Sequence, residues 1–137
     1  MEYLSNSLSC EDYNRLRESV GWSVFAPERA RRALSGSLCT LTAAEKGAVV
    51  AMGRVLGDGI YFLLVDVVVH PAYQGRGIGG ELVRRSLKWI RQAVPAGGRA
   101  SVQIIAAAGK EVFYEKLGFV RLPGESNPGT GMVYMIG

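Results

Sequence analysis

The run Gln74-Gly75-Arg76-Gly77-Ile78-Gly79-Gly80 dictates more about this chain than any other segment. It lies between the apolar stretch Tyr61–Val69 and the amphipathic stretch Glu81–Val94. A strand, a helix and a second apolar run at 101–106 leave enough chain for a crossover, so the strands at 60–69 and 101–106 are expected to lie parallel. Glycine takes backbone dihedrals that other residues resist. Consecutive N–H groups in such a loop can therefore turn toward one point, where the N-terminus of the following helix adds partial positive charge. The run reads as an anion cradle, and the expected ligand carries phosphates.

Gly75, Gly77 and Gly80 also satisfy the G-x-G-x-x-G spacing of dinucleotide sites. That fingerprint places its first glycine directly after a strand, with an acidic residue about 20 positions on to hold a ribose. Here His70-Pro71-Ala72-Tyr73-Gln74 intervenes, and the run Ala100–Ala106 ends without Asp or Glu. No Gly-Lys-Ser/Thr follows the glycines, which excludes a P-loop. A phosphate-bearing ligand other than NAD or ATP is favoured.

Hydrophobic periodicity predicts alternating elements around this loop. Met1–Leu4 reads as a short strand. Ser9 and Asp12 start a helix with Tyr13, Leu16 and Val20 on one face, ending near Gly21. Pro27 opens a second helix through Leu34, closed by Gly36. Leu38–Thr42, Ala48–Val55 and Ile60–Val69 form an antiparallel meander, turned at Glu45-Lys46-Gly47 and Gly57-Asp58-Gly59. The major helix runs from about Gly79 to Val94, with Leu82, Val83, Leu87, Ile90 and Val94 buried and Pro95 stopping it. Lys110–Leu117 is a short helix closed by Gly118, and Phe119–Arg121 with Met132–Ile136 is expected as a final strand pair whose edge a second copy could extend into a homodimer.

At this point the chain resembles a known family. Strand, His70-Pro71-Ala72-Tyr73-Gln74-Gly75-Arg76-Gly77-Ile78-Gly79-Gly80 and helix resemble the acetyl-CoA site of the GCN5-related N-acetyltransferases (GNAT), whose pattern Gln/Arg-x-x-Gly-x-Gly/Ala falls on Gln74, Gly77 and Gly79. Phe113-Tyr114-Glu115-Lys116-Leu117-Gly118-Phe119 resembles the family's later Tyr-x-Lys-x-Gly-Phe segment. Two such matches in the right order are far more specific than either alone. The resemblance implies an α/β (α+β) fold: a mixed, mostly antiparallel sheet of six to seven strands flanked by about four helices, with a splayed parallel strand pair, all in a single domain over 1–137. It also implies transfer of acetyl from acetyl-CoA to a primary amine, on a small molecule or a protein, by direct attack in a ternary complex. A coenzyme A-binding regulatory module without turnover is the alternative.

The cofactor-binding residues expected on this basis are Val67, Val68 and Val69 through their main chain, Gln74, Gly75, Arg76, Gly77, Ile78, Gly79 and Gly80 at the loop, and Lys110. Pantetheine carries amides that can pair with an open strand edge. Many members of the family carry Asn and Ala where this chain has Ala107 and Lys110; the lysine side chain can meet a phosphate.

Acetyl transfer needs a neutral amine, a donor for the oxyanion and a proton for the departing thiolate. By the family's arrangement the oxyanion falls to N–H groups near Val67–Val69 and the proton to Tyr114, whose reference pKa near 10 is close to a thiol's ~8.5. Asp66 interrupts an otherwise apolar strand, and a carboxylate there should be paired, protonated or functional; it is a candidate base or amine anchor, or else a structural carboxylate bonded to backbone. Glu18 and Trp22 are candidates for lining the acceptor pocket, an acid beside an aromatic wall. His70, before Pro71, reads as a turn residue.

Composition agrees with these expectations. The chain has 137 residues, 48% of them hydrophobic, and no apolar run reaches the roughly 18 residues of a membrane span. Met1–Ser9 lacks the basic start and apolar block of a signal peptide, so a cytoplasmic protein is expected. Cys10 and Cys39 have no metal-ligand spacing and read as reduced thiols, with no metal expected. The net charge of +4 is spread over Arg29, Arg31 and Arg32 and along Arg84, Arg85, Lys88 and Arg91, the pattern of solvated helix faces, without the aromatic-interleaved basic strand of a nucleic-acid binder. Neither nucleic acid nor membrane is expected as a partner.

Overall fold

A computed structural model of the chain describes residues 1–122, 132 and 134. The chain separates into two compact units, Met1–Ile105 and Ala106–Gly137. The first contains β1 (Glu2–Ser5), α1 (Cys10–Ser19), α2 (Pro27–Ser35), β2 (Cys39–Glu45), β3 (Ala48–Gly57), β4 (Tyr61–Val69), a 3-10 turn at Pro71–Tyr73, α3 (Ile78–Ala93) and β5 (Ser101–Gln103). The second contains α4 (Glu111–Lys116).

The sheet of the first unit runs in the order β1-β2-β3-β4-β5. Each neighbouring pair through β4 is antiparallel, and β5 lies parallel to β4. Successive residues from Cys39 to Ala44 and from Val50 to Val55 are all buried. A strand buried at every position is covered on both faces. Helices α1 and α3 both pack on β3 and β4 and supply that cover. Beneath α1, a cluster of Leu8, Cys10, Tyr13, Leu16, Ala30, Met52 and Val68 closes the core, with Val20 and Leu34 packed against it.

Local chemistry sets the helix ends. The Asp12 N–H donates to Ser9 Oγ at 3.1 Å and starts α1, with Glu11 and Asp12 in the first turn. Gly21, at φ +79°, follows its C-terminus, where the Trp22 N–H donates back to the Arg17 carbonyl at 2.9 Å. Pro27 occupies the first turn of α2. Helix α3 buries Ile78, Leu82, Val83, Ser86 and Ile90, while Leu87 and Val94 are only half-buried. Each fully buried aliphatic side chain on that face contributes about 1.5–3 kcal/mol.

The described residues hold five strands rather than six or seven. Phe119–Arg121 has no strand structure because the chain turns back at Gly118, at φ +99°, and the Phe119 N–H donates to the Tyr114 carbonyl at 3.1 Å, closing the end of α4. The strand expected at 132–136, with the dimer edge it would offer, lies outside the described residues apart from Met132 and Tyr134. The run expected at 101–106 is regular only over Ser101–Gln103.

Candidate functional site

Strand β4 has two properties that matter chemically. Its parallel pairing with β5 covers only Tyr61, Phe62 and Leu63, so among the described residues Leu64–Val69 have no strand partner on that side. On its other side the register with β3 slips: Val65 faces Arg54 and Val68 faces Met52, leaving Asp66 and Val67 opposite Gly53. This is a bulge, and Asp66 takes the left-handed conformation at φ +54°. For a residue with a Cβ that conformation costs about 1 kcal/mol or more.

Partners on other elements hold Asp66 there. Arg17 Nη1 donates to Asp66 Oδ1 at 2.9 Å, while Arg54 Nε and the Tyr13 hydroxyl donate to Oδ2 at 2.9 and 2.7 Å. The Asp66 side chain is 12% exposed, and those of Arg17 and Arg54 are 13% and 11% exposed. Arg54 Nη1 also donates to the Ala33 carbonyl and to Ser37 Oγ. Burial, with the Asp66 bond and charge behind it, pushes the Tyr13 phenol above its ordinary pKa, so it stays a donor at neutral pH. The expected alternative for Asp66, a structural carboxylate, finds its partners in side chains rather than in neighbouring backbone.

The loop after β4 is built to present N–H groups. His70 Nδ1 accepts from the Ala72 N–H at 3.1 Å and starts the 3-10 turn, and Gln74 Nε2 donates back to the Val69 carbonyl at 3.0 Å, closing the loop onto the strand. Gly75 and Gly77 stand at φ +80° and +79° with nothing near the position of an added Cβ, so dihedral angle rather than space requires glycine at both. Gly77 is the N-cap of α3, and no side chain caps that helix. The N–H groups of its first turn have no partner within the helix, and the dipole adds positive potential there. Gln74, Gly75, Arg76 and Gly77 are exposed, Gly79 is half-buried, and Ile78 and Gly80 are buried. Arg76 lies 5.0 Å over the Tyr73 ring, and Arg84 and Arg85 both pair with Glu81.

Around Glu18 and Trp22, the two candidates for lining an acceptor pocket, a cation of the chain itself lies against the aromatic side chains. The Arg17 guanidinium sits 5.4 Å over Trp22, 4.7 Å over Phe25 and 5.6 Å over Tyr13, so the aromatic wall already holds a cation, and Glu18 is exposed. Arg17 Nε donates to the Ser23 carbonyl at 2.6 Å. Sequence reasoning missed Tyr13, Arg17 and Arg54 as parts of the site. The signal for Arg54 was present: it is the one charge in the interior of β3, as Asp66 is in β4.

In the second unit, Lys110 is exposed at the start of α4. Tyr114 is half-buried between Phe113 and Phe119, edge-on to both at centroid distances of 4.9 and 5.7 Å. Burial raises its phenol pKa. It is a protonated phenol at neutral pH.

Comparison with known proteins bears on the family and the fold. Residues 36–121 match the family described as acetyltransferase (GNAT) domain. An uncharacterized N-acetyltransferase, ycf52, of Porphyra purpurea is 30% identical over 88% of this chain and 71% of its own length. Serotonin N-acetyltransferase 2, chloroplastic, of Oryza sativa is 32% identical over 87% of this chain and 60% of its own. Among solved structures, a protein of meticillin-resistant Staphylococcus aureus described as "Probable Acetyltransferase" superposes with a TM-score of 0.84, at 32% identity and 98% coverage of both chains. A GNAT acetyltransferase of Brucella melitensis in complex with acetyl-CoA shares the fold, with a TM-score of 0.60 at 23% identity over 87% of this chain and 83% of that one. The chain belongs to the GNAT family and is an acetyltransferase. No helix of the described residues is long and apolar enough to cross a membrane, and no cluster of metal-ligating side chains occurs among them.

Proposed function

We propose that the chain transfers acetyl from acetyl-CoA to a small primary amine by direct attack, without an acyl-enzyme. The observation that carries this reading is the uncapped N-terminus of α3, reached through a 3-10 turn and two left-handed glycines from a strand that, among the described residues, has no strand partner on one side from Leu64 to Val69. The first feature suits a diphosphate and the second suits the amides of a pantetheine arm, so the residues fit this cosubstrate. Acetyl-CoA supplies an activated acyl thioester.

Each remaining task falls to the chain. Main-chain N–H groups near Val67–Val69 on the free side of β4 donate to the carbonyl oxygen as negative charge builds on it. Gln74 keeps the loop closed on β4, and Gly75, Arg76, Gly77, Ile78, Gly79 and Gly80 offer N–H groups and one guanidinium to the phosphates, with Lys110 a further cation. The amine nitrogen bonds to the acyl carbon as the carbon–sulfur bond breaks. Tyr114 gives its proton to the departing sulfur, and the proton shed by the amine returns to the tyrosine through water. The rice relative's name directs the acceptor search first to arylalkylamines. Free thiols at Cys10 and Cys39 suit a reducing, cytoplasmic setting.

The test is calorimetric titration with acetyl-CoA, followed by thiol release in the presence of tryptamine, glucosamine or a lysine-bearing peptide. Saturable binding with release in one of these supports the reading and names the acceptor class. Binding without release for any of them favours a regulatory coenzyme A-binding module, and absence of binding removes the cosubstrate.

A further inference from the structure

We propose that Arg17 and Arg54, acting through Asp66, lock the β4 bulge in the geometry that turns the main chain of Val67–Val69 toward the acetyl thioester. Asp66 is then a positioning residue of transfer and not its base. The inference rests on the acetyl-CoA reading above, and its test is separable from that reading.

A general base needs an oxygen free to reach the amine proton. Three donors hold the Asp66 carboxylate, Arg17 on Oδ1 and Arg54 and Tyr13 on Oδ2, at 2.7–2.9 Å, so neither oxygen can swing toward an amine without breaking a bond to its partners. The same residue carries the least favourable backbone conformation in β4, at φ +54°, at the point where the register with β3 slips. A strained dihedral persists only where its surroundings over-determine it, and such strain collects at sites that aim a group. The group aimed here is the next peptide, on the edge that β5 leaves open.

The partners come from different elements. Arg54 belongs to β3, and Tyr13 and Arg17 to α1, so the bulge is set from outside the strand that carries it. Arg17 is itself fixed by the Ser23 carbonyl and by the rings of Tyr13, Trp22 and Phe25. The chain that follows α1 is thereby tied to the peptide that would meet the acyl group.

Asp66→Gly and Asp66→Ala separate backbone from carboxylate. Both remove the acid and leave the two guanidiniums equally unpaired, but glycine adopts a positive φ freely and alanine does not. With acetyl-CoA affinity measured by calorimetry on folded protein, Asp66→Ala should weaken binding roughly tenfold to a hundredfold, and Asp66→Gly should lie much closer to wild type. Asp66→Asn, a residue that tolerates this conformation, should fall between them and stands in for alanine if that variant does not fold. Arg17→Ala should weaken binding as well, and its combination with Asp66→Ala should be no worse than Asp66→Ala alone, since both act on one lock. Equal, wild-type affinity in every Asp66 variant, with turnover lost in all of them, would identify a base and overturn the proposal. If the wild-type chain itself fails to bind acetyl-CoA, the cosubstrate reading falls. Amide hydrogen exchange over 64–69 then decides the lock: faster exchange in Asp66→Ala than in Asp66→Gly upholds it, and equal exchange refutes it.

Discussion

Replacing Gly77 by alanine tests the phosphate seat with a built-in control. Gly77 stands at φ +79° as the N-cap of α3, and an added Cβ would meet nothing within 4 Å, so the substitution introduces dihedral strain without a clash. That strain is about 1–2 kcal/mol. The chain relieves it, at a cost in stability no larger than the strain, by unwinding the uncapped first turn of α3 and turning the N–H groups of Ile78 and Gly79 away. Each charge-assisted hydrogen bond lost to a phosphate is worth about 1.5–3 kcal/mol, and 1.4 kcal/mol is tenfold in Kd, so one lost bond weakens acetyl-CoA binding about tenfold to a hundredfold. S-acetylpantetheine, which lacks the diphosphate, should bind Gly77→Ala and wild type alike. Gly97 is also at φ +79° with nothing within 4 Å, between α3 and β5. Gly97→Ala should therefore show a similar drop in thermal stability with unchanged acetyl-CoA affinity. The reasoning is refuted if Gly77→Ala binds acetyl-CoA as tightly as wild type, if it weakens both ligands equally, or if Gly97→Ala does the same.

Further outcomes follow from the second unit and from α1. Tyr114→Phe should leave acetyl-CoA affinity unchanged and lower kcat by about a hundredfold or more, as loss of a general acid does; stopped-flow thiol release reads this directly. Because burial raises the Tyr114 pKa, the folded form holds its proton more tightly than the unfolded chain. Its contribution to stability is therefore complete below the ordinary tyrosine pKa and is lost as pH rises through the raised value, a loss that Tyr114→Phe should abolish in alkaline melts. Lys110→Ala should weaken acetyl-CoA binding severalfold at low salt, the effect shrinking as salt screens an exposed cation. Ser9→Ala should cost about 1 kcal/mol of stability by leaving the Asp12 N–H without its cap, and denaturant unfolding measures it.

What could be read from the sequence follows the range of the interactions involved. Helix caps, turn glycines and apolar periodicity act within a few residues, so Ser9, Pro27, the meander and the strand, loop and helix around Gly77 stand where periodicity and turn chemistry place them. Phe119–Arg121 was misread because its extended-looking composition says nothing of Gly118, whose positive φ folds the chain back onto α4. Five strands rather than six or seven follow among the described residues.

The surroundings of Asp66 were hardest to read, since their contacts join residues far apart in the chain. Glu18 beside Trp22 suggested an acid and an aromatic awaiting a cation. The cation that arrives is Arg17, one residue before Glu18, which lies against Trp22 and Phe25 and reaches across to Asp66. The decisive clue was a pair rather than a residue. Arg54 and Asp66 each interrupt an apolar strand, on either side of the turn at Gly57-Asp58-Gly59, and a hairpin of that register brings opposite charges within reach. Burying either charge alone would cost several kcal/mol, so each interruption calls for the other. A second guanidinium and a phenol on the same carboxylate go beyond charge balance. They fix where the carboxylate and its peptide stand, and in β4 that peptide borders the edge that has no strand partner among the described residues.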